Sequence, residues 1–180
     1  MIAQTAKGLL NRINDALIFG RRVKALSAAL ADAIPSGGLV LDLGCGDGQV
    51  AARLMGVRPD LTVEGADVLL RPVTHIPVTL YDGLSLPFAD RSFDYVTIVD
   101  VLHHTDDPAA VLAEAQRVSR LGVVVKDHLR EGLLAGPILR LMDWVGNRGH
   151  DVRLPYNYLD SRQWADVFAC AGLERVRWVD

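Results

Sequence analysis

The stretch VLDLGCGDGQV, residues 40–50, decides the fold, because it places three glycines within five positions directly after an apolar run. Gly44, Gly46 and Gly48 allow a sharp turn and leave room for a ligand to approach, since glycine has no Cβ. A helix that follows such a turn offers unpaired N–H groups in its first turn. The stretch therefore predicts a strand, a glycine turn and a helix that together form a ligand cradle.

The residues around this turn argue against a phosphate ligand. A dinucleotide site requires G-x-G-x-x-G, whereas the turn reads G-x-G-x-G, and Gln49 and Val50 stand where a mononucleotide loop requires Lys and Ser or Thr. Asp42 and Asp47 would repel a pyrophosphate but suit a positively charged ligand. Asp67 ends the next predicted strand at the separation, roughly 20 residues, at which a carboxylate binds a ribose. These residues indicate an adenosine without phosphates.

Strands alternate with helices along the chain. Alternation of this kind predicts an α/β fold, a Rossmann-like, doubly wound, mostly parallel sheet with helices on both faces. The predicted strands are LVLDL (39–43), LTVEGAD (61–67), VTLYDG (78–83), FDYVTIVD (93–100), GVVVKD (122–127) and LERVRWVD (173–180). The predicted helices are one bent or two straight ones over 5–34, then GQVAARLMG (48–56), DPAAVLAEAQRVSR (107–120) and SRQWADVFACAG (161–172).

A chain of 180 residues is long enough for one domain with a full core. We therefore expect a single domain over residues 1–180. It divides into an N-terminal helical segment (1–36), a ligand-binding core (37–128), an insertion (129–159) and a last helix and strand (160–180).

Composition limits the partners and the compartment. The net charge is −3, whereas electrostatic binding of nucleic acid needs a clustered basic face. The short run Arg21, Arg22 and Lys24 is predicted to be the solvated side of a helix. Cys45 and Cys170 stand in no metal-ligand or disulfide spacing, and no apolar stretch reaches the roughly 20 residues of a membrane span. We expect a cytoplasmic protein, without a leader or transmembrane segment, that binds neither metal nor nucleic acid.

Three segments resemble, in order, motifs of class I S-adenosylmethionine-dependent methyltransferases. VLDLGCGDG resembles the glycine-rich first motif, VEGAD (63–67) the ribose-binding strand, and YDGLSLPFADRSFDYVTIVDVLHH (81–104) the adenine-binding loop and fourth strand. The likeness extends over residues 38–128 and is greatest to the small-molecule branch that includes the ubiquinone and menaquinone methyltransferases. It implies S-adenosylmethionine as the cofactor.

The resemblance also implies roles for individual residues. Asp42 would lie near the ammonium group of the cofactor, Asp67 would bind the ribose diol, and Asp82 would accept a hydrogen bond from the adenine amine. Taken alone, Asp82 followed by Gly83 is more typical of a simple turn. The implied cofactor-binding residues are Asp42, Gly44, Cys45, Gly46, Gly48, Asp67, Asp82, Gly83, Leu84 and Asp100.

The implied chemistry depends on positioning, because the sulfonium of this cofactor already makes its methyl group electrophilic. A general base is needed only if the acceptor must lose a proton. The candidate catalytic residues are His128 and Asp127, which follow the predicted fifth strand, and His104. A loop hydrogen bond made by His128, and a purely structural pair of His103 and His104, are the alternatives.

The insertion 129–159 departs from a minimal sheet-and-helix plan. Within it, GLLAGPILRLMDWVG (132–146) has an apolar face at helical spacing. Three interpretations stay open: a core-packed helix, a lid over a hydrophobic or aromatic acceptor, and a membrane or dimer surface. The apolar face comprises Leu134, Ile138, Leu141, Met142 and Val145. The predicted substrate-binding residues are Arg130, Trp144, Tyr156, Asn157 and Tyr158.

Two features depart from the family. Pro72 and Pro77 lie between Asp67 and Asp82, so the helix between the second and third strands must be short or absent. Family members normally finish with two antiparallel strands, and here the pair is incomplete after one predicted strand. The resulting sheet edge could pair with another chain, as in a homodimer.

Two functions from different classes follow. The first is an S-adenosylmethionine-dependent methyltransferase that acts on a small-molecule, hydrophobic or aromatic acceptor. The second is a catalytically inactive S-adenosylmethionine-binding protein that serves as a partner or sensor. A nicotinamide dehydrogenase shares the architecture, but the glycine spacing and the acidic loop argue against it.

Overall fold

Five parallel strands form one sheet in the order β3-β2-β1-β4-β5. The computed structural model describes residues 20–132, 134–146 and 156–178, with the backbone alone for 143–146. The strands are β1 (Gly38–Leu43), β2 (Leu61–Asp67), β3 (Val78–Leu80), β4 (Phe93–Val99) and β5 (Ser119–Lys126). The helices are α1 (20–33), α2 (Gln49–Val57), α3 (Pro108–Val118), α4 (Ala135–Gly146) and α5 (Ser161–Cys170), with a short 3₁₀ turn at Leu102–His104.

Alternate residues of the central strands pack on opposite faces of the sheet. On one face, Leu41 and Leu43 join the apolar side chains of α3 and α5. On the other face, Val40 packs with residues of α1 and α2. Because both faces are covered, the central strands are almost continuously apolar, as expected for a parallel sheet. The predicted doubly wound fold is confirmed.

The order of the strands reverses between β1 and β4. The chain proceeds from β1 through β2 to β3 on one side, then returns to β4 and β5 on the other side. In open sheets of this kind a ligand binds at the carboxyl ends of the strands, next to the reversal. The glycine turn after β1 and the residues that follow β4 and β5 therefore meet at this edge.

Several elements differ from their predicted bounds. Residues 68–77 contain no helix, as the prolines indicate, and β3 ends at Leu80. β5 begins at Ser119, directly after α3, rather than at Gly122. The last predicted strand is absent over 173–178, which have no regular structure. Residues 1–19, 147–155 and 179–180 of the predicted segments lie outside the described residues.

Helix α4 exposes its apolar face. Leu134, Ile138, Leu141 and Met142 are all more than half exposed, so among the described side chains the core-packed interpretation is wrong. The side chains of Trp144 and Val145 lie outside the described residues. No helix in the described ranges has both the length and the apolar character needed to span a bilayer.

Candidate functional site

The glycine turn connects β1 to α2 at the carboxyl edge of the sheet. Gly44 donates its N–H to the carbonyl of Ala66 at 2.7 Å, and Gly44, Gly46 and Gly48 have φ angles of 75°, 59° and 78°. A Cβ at Gly44 would collide with the Val101 side chain, whereas a Cβ at Gly46 would have nothing within 4 Å. The turn is therefore closed at Gly44 and open at Gly46, where a ligand can contact the backbone.

Asp67, the last residue of β2, binds this turn directly. Its Oδ2 accepts the N–H of Gly46 at 2.8 Å, and its Oδ1 accepts the N–H of Leu69 at 2.9 Å. The residue is buried. Because each carboxylate oxygen can accept more than one hydrogen bond, Asp67 can hold the turn and still accept from a hydroxyl group.

Asp42 is buried beneath the turn, opposite Thr97 in the β1–β4 register. Thr97 Oγ1 donates to Asp42 Oδ1 at 2.8 Å. Burial raises the pKa of Asp42 to about 6; the Thr97 hydrogen bond opposes this shift, and the charge of Asp67 adds to it. Burial, together with these acids, also raises the pKa of Cys45 to about 12, so Cys45 stays a neutral thiol. A cation at this edge would favour the ionised form of Asp42.

Asp82, Gly83 and Leu84 form an exposed turn after β3. Asp82 Oδ1 accepts the N–H groups of Leu84 at 2.8 Å and Ser85 at 2.9 Å, and these bonds lower the pKa of Asp82. Gly83 has a φ of 83°. This is the simple Asp-Gly turn that is typical of Asp82 followed by Gly83. Asp82 Oδ2 takes no part in it, so the turn and the implied adenine contact are compatible.

Asp127 follows β5 and is the centre of a buried hydrogen-bond network. Its Oδ2 accepts the N–H groups of Leu102 at 2.8 Å and His103 at 3.3 Å, and its Oδ1 accepts the N–H of His128 at 2.7 Å. Oδ1 also lies 2.6 Å from His103 Nδ1. Burial raises the pKa of Asp127, but the hydrogen bond with His103 and the interactions with His128 outweigh it, and the pKa lies below its usual range. Asp127 is therefore ionised and orients the His103 ring.

Three histidines and a tyrosine pack around this network. The ring centroid of His103 lies 4.0 Å from that of His104, 4.7 Å from that of His128 and 5.4 Å from that of Tyr158. His103 itself is buried. The predicted catalytic residues His104, Asp127 and His128 are thus brought together, with His103 between them.

His128 combines partial exposure with two nearby carboxylates. Its side chain is 31% exposed, and its Nδ1 lies 3.6 Å from Asp127 Oδ1 and 3.7 Å from Asp100 Oδ1. Among the described residues, Nδ1 has no hydrogen-bond partner. The ring can therefore contact a ligand while a positive charge on it is stabilised by the nearby Asp127 carboxylate.

Tyr158 and Asn157 connect this cluster to its surroundings. The Tyr158 hydroxyl donates to the carbonyl of Leu139 in α4 at 3.2 Å. Asn157 donates its main-chain N–H to the carbonyl of His103 at 3.2 Å and its side-chain amide to the carbonyl of Thr105 at 3.3 Å. Both predicted substrate residues therefore lie beside the histidines, where they also have a structural role.

The other predicted substrate residues are less closely associated with the cluster. Arg130 donates to the Gln163 side chain at 3.0 Å, so it stabilises the start of α5. The Arg140 guanidinium lies over the Tyr156 ring, 5.5 Å from its centroid. The side chain of Trp144 is outside the described residues.

Asp100 follows β4 with a φ of 56°. Its Oδ2 lies 2.6 Å from Arg22 Nη2, and its Oδ1 forms an ion pair with Lys126 Nζ. Burial raises the pKa of Asp100, but Lys126 and Arg22 outweigh it, and the pKa lies below its usual range. Both oxygens of this predicted cofactor residue are therefore paired with cations.

Comparison with known proteins identifies the family. A family profile described as "Methyltransferase domain" matches residues 41–125. Over 172 residues the chain is 32% identical to a demethylmenaquinone methyltransferase of Renibacterium salmoninarum, an alignment that covers 85% of this chain and 71% of the relative. The chain belongs to the class I S-adenosylmethionine-dependent methyltransferases.

Two further matches agree with this family. A demethylmenaquinone methyltransferase of Roseiflexus sp. (strain RS-1) is 33% identical over 156 residues, an alignment that covers 80% of this chain and 64% of the relative. The chain thus spans less than two thirds of that relative's length. A solved structure from Thermotoga maritima, described as an S-adenosylmethionine-dependent methyltransferase, has a TM-score of 0.64 at 22% identity, covering 85% of this chain and 72% of the other, and supports the fold.

S-adenosylmethionine is the cofactor of this family, and the residues at the glycine turn fit it. The turn opens at Gly46, where a side chain would occupy the space of a ligand. Asp67 bonds the N–H of Gly46, the buried Asp42 lies near the end of β1 just before the turn, and residues 40–50 contain no lysine or arginine. An acid-lined turn of this kind suits a sulfonium and an ammonium group rather than a pyrophosphate.

One group in the described part of the chain has the composition of a metal site. Ligand atoms of His103, Asp127 and His128 lie within 4.8 Å of one another. The separation of 2.6 Å between His103 Nδ1 and Asp127 Oδ1 is that of a hydrogen bond. Since Asp127 Oδ1 also accepts the His128 N–H, its lone pairs are already used. That the chain binds no metal stays a prediction.

Sequence reasoning assigned no catalytic or ligand-binding role to four residues at this edge of the sheet. His103 carries the closest contact to Asp127, but its motif indicates only a structural role. Thr97 reaches Asp42 through the β1–β4 register, which local patterns do not specify. Arg22 belongs to a run predicted to be solvated, and Lys126 lies within a predicted strand. Lys126 and Asp100 are neighbours because β4 and β5 lie side by side in the sheet, so a correct prediction of the strand order would have placed them together.

Proposed function

We propose that this chain transfers the methyl group of S-adenosylmethionine to a small-molecule acceptor that is hydrophobic or aromatic. One observation carries the proposal: the buried Asp127 holds His103 at 2.6 Å and brings His128 to the carboxyl edge of the sheet, where the glycine turn also lies. A protein that only bound the cofactor would not need this network. Relatives named for demethylmenaquinone support a quinone-like acceptor.

The bound cofactor supplies an electrophilic methyl group on its sulfonium. In this proposal the glycine turn contacts the methionine half, with Asp42 beside the ammonium group and Asp67 on the ribose. Asp82 accepts from the adenine amine through Oδ2, while Gly83 and Leu84 cover the ring. Orientation of an acceptor atom in line with the methyl group can contribute about 7–11 kcal/mol.

His128 is the proposed general base. A proton accepted at Nε2 leaves an N–H at Nδ1, which lies 3.6 Å from Asp127 and 3.7 Å from Asp100. The carboxylate of Asp127 stabilises the resulting positive charge, whereas Asp100 is already paired with Arg22 and Lys126. Asp127 acts as the orienting acid, and His104 packs against the same cluster.

The insertion 129–159 is the proposed acceptor lid. Its helix α4 exposes an apolar face, and Tyr158 joins that helix to the histidine cluster. An apolar surface next to a few polar groups is typical of small-molecule sites. The proposed substrate contacts are Arg130, Trp144, Tyr156, Asn157 and Tyr158.

The remaining parts of the proposal concern location and partners. Cys45 and Cys170 are free thiols, which supports a cytoplasmic location. The net charge of −3 supports a small molecule rather than a nucleic acid as the acceptor. The outer edge of β5 supports a homodimer, and light scattering on the purified chain tests it.

Methyl transfer from S-adenosylmethionine with a radiolabelled methyl group tests the activity. The acceptors are a panel of 1,4-naphthalenediols, catechols and phenols, with extraction of the labelled product. We expect His128→Ala and Asp127→Asn to lower kcat on an accepted compound by about 10²- to 10⁴-fold. The exposed His75 gives a matched control, since His75→Ala should leave kcat unchanged.

Two outcomes would contradict parts of this proposal. Cofactor binding without labelling of any acceptor would favour the inactive cofactor-binding protein. An unchanged kcat of His128→Ala, with an unchanged pH profile, would show that His128 is not the base.

A further inference from the structure

The loop between β3 and β4, residues 81–92, contains no strand or helix and carries the proposed adenine contacts. Its first part is a turn over residues 82–85, in which Asp82 Oδ1 accepts two main-chain N–H groups. Just before this turn, Tyr81 donates its N–H to the carbonyl of Asp67 at 3.1 Å. The start of the turn is therefore fixed to the end of β2, and its other end depends on a separate anchor.

Two residues of α3, Glu114 and Arg117, provide that anchor. Glu114 Oε2 accepts the N–H of Leu86 at 2.9 Å, and Arg117 Nη2 donates to the carbonyl of Leu86 at 3.0 Å. The side chain of Leu86 is buried in the same apolar core as α3. The residue that follows the turn is thus held by both of its polar main-chain groups and by its side chain.

Arg117 uses all five of its N–H donors. Its Nε and Nη2 donate to the two oxygens of Glu114, each at 2.8 Å. Its Nη1 donates to the carbonyl of Phe88 and to Asp90 Oδ1, both at 2.8 Å. With the bond to Leu86, these contacts fill the donor capacity of a guanidinium. Because no donor remains for a ligand, the contacts indicate a positioning residue rather than a ligand-binding one.

The pair of Glu114 and Arg117 is geometrically specific. Two parallel N–H groups match two carboxylate oxygens, and such charge-assisted pairs are stronger than neutral hydrogen bonds. The hydrogen bond from Arg117 lowers the pKa of Glu114, so this carboxylate is ionised at neutral pH. The carbonyl of Arg117 also accepts the N–H of Arg91 at 2.8 Å. One helix therefore holds the loop from Leu86 to Arg91.

We propose that Arg117, together with Glu114, positions the loop 81–92 so that Asp82 selects the amino group of adenine. This inference rests on the proposed function and adds a positioning pair to it. The pair acts through the main chain of Leu86. Loss of the Arg117 guanidinium would leave the two loop carbonyls and Asp90 without this donor, so the turn that carries Asp82 would move relative to Asp67.

Calorimetric titration with two ligands tests the positioning role. S-adenosylhomocysteine and its analogue with purine in place of adenine differ only in the 6-amino group. We expect the wild-type chain to bind S-adenosylhomocysteine about tenfold more tightly than the analogue, as for one hydrogen bond to a charged group. In Arg117→Met the ratio of the two Kd values should fall towards one, because Asp82 is displaced from the amine. Arg120→Met removes a guanidinium that pairs with Asp94, outside the loop, and is the matched control that should keep the wild-type ratio.

The ratio of the Kd values separates positioning from a general loss of stability. A variant that is only less stable would bind both ligands more weakly by the same factor, and an unchanged ratio in Arg117→Met would overturn the inference. If Arg117→Met does not fold, Glu114→Gln keeps the size of the side chain and weakens the pair, and an intermediate ratio is expected. An unchanged ratio in that variant would overturn the inference as well.

The wild-type chain distinguishes this inference from the proposed function. Binding of neither ligand would contradict the proposed function itself. Equal binding of both ligands would show that Asp82 does not select the amine, and the inference would then fail while cofactor binding stands. Arg117→Lys should restore only part of the ratio, since an ammonium group lacks the planar set of donors that Glu114 and the loop carbonyls engage.

Discussion

At Gly46 the backbone has a φ of 59° and open space beside it, while at Gly44 a side chain would collide with Val101. The two glycines are therefore needed for different reasons. Gly44 allows close packing of the turn on the sheet. Gly46 leaves the space in which the cofactor can contact the backbone.

Gly46→Ala should therefore impair binding more than folding. A side chain in this left-handed conformation costs about 1–2 kcal/mol of stability, but the methyl group meets no protein atom. We expect a folded variant with that loss in urea unfolding and a Kd for S-adenosylmethionine raised by at least tenfold in calorimetry. Gly122→Ala, which also has open space but no positive φ, is the control and should change neither value. Unchanged cofactor affinity of Gly46→Ala would contradict the open-cradle interpretation.

For single residues, the sequence predicts which aspartates lie at the carboxyl edge of the sheet, but it does not predict the residues to which they are hydrogen-bonded. Asp67 and Asp127 are predicted because each ends a predicted strand, where a parallel sheet collects ligand-binding residues, and Asp42 because it directly precedes the glycine turn. Their contacts to Thr97 and His103 depend on strand order and register, which involve residues 55 and 24 positions away. Local patterns do not contain that information.

Among the elements, those with strong local signals are predicted best. β2 matches its predicted range, and α3 begins at Pro108 after the cap Asp107, which accepts the N–H of Ala110 at 3.0 Å. β5 begins earlier than predicted because Ser119 is already extended, and its N–H is bonded by carbonyls at the end of α3. Residues 173–178 alternate like a strand but have no ladder partner in the part of the chain that the structure describes, and alternation without a partner does not make a strand.

Helix α4 shows why an apolar face does not by itself predict burial. The pattern is the same for a core helix and for a lid, and only the packing distinguishes them. In this chain the face lies outward, and the contact between α4 and Tyr158 is made through the main-chain carbonyl of Leu139.

Substitution of this face should leave stability intact. Leu141 is 61% exposed, so we expect Leu141→Gln to change the free energy of unfolding by less than about 0.5 kcal/mol. Leu112→Ala, at a fully buried position of α3, should cost about 2–5 kcal/mol and is the contrasting variant. Urea unfolding measures both. A loss above 2 kcal/mol for Leu141→Gln would restore the core-packed interpretation.

For the whole molecule, the buried Asp42 links cofactor binding to global stability. Burial raises the pKa of Asp42 to about 6 in the folded chain, whereas the unfolded chain keeps the ordinary value of 3.8. Between these pH values the folded state binds more protons than the unfolded state. The contribution of Asp42 to the free energy of unfolding is therefore highest below pH 4. It declines as the pH rises through 6, by about 3 kcal/mol in total.

Asp42→Asn should remove this decline. The amide keeps the contact with Thr97 without a buried charge, so we expect a variant that is more stable than the wild type at pH 7 and no different at pH 4. Its affinity for S-adenosylmethionine should be lower, because the attraction to the ammonium group is lost. Urea unfolding at pH 4, 5, 6 and 7 measures the effect, with the exposed Asp166→Asn as control. Parallel curves for wild type and Asp42→Asn would show that Asp42 is not the titrating group.

The fold class follows from sequence because alternating strands and helices with a glycine turn are compatible with few topologies. The strand order and the parallel pairing agree with that expectation. The whole-molecule features that sequence does not give are the outer edge of β5, which pairs with no strand in the described ranges, and the approach of α1 to the site through Arg22. Both depend on tertiary packing between distant segments.

The central claim is that the acid-lined glycine turn binds a sulfonium nucleoside and not a pyrophosphate. Isothermal titration of the wild-type chain with S-adenosylmethionine, and separately with NAD, tests it most directly. The account predicts saturable binding of S-adenosylmethionine at one site per chain and no heat of binding with NAD. Saturable binding of NAD together with no binding of S-adenosylmethionine would contradict it.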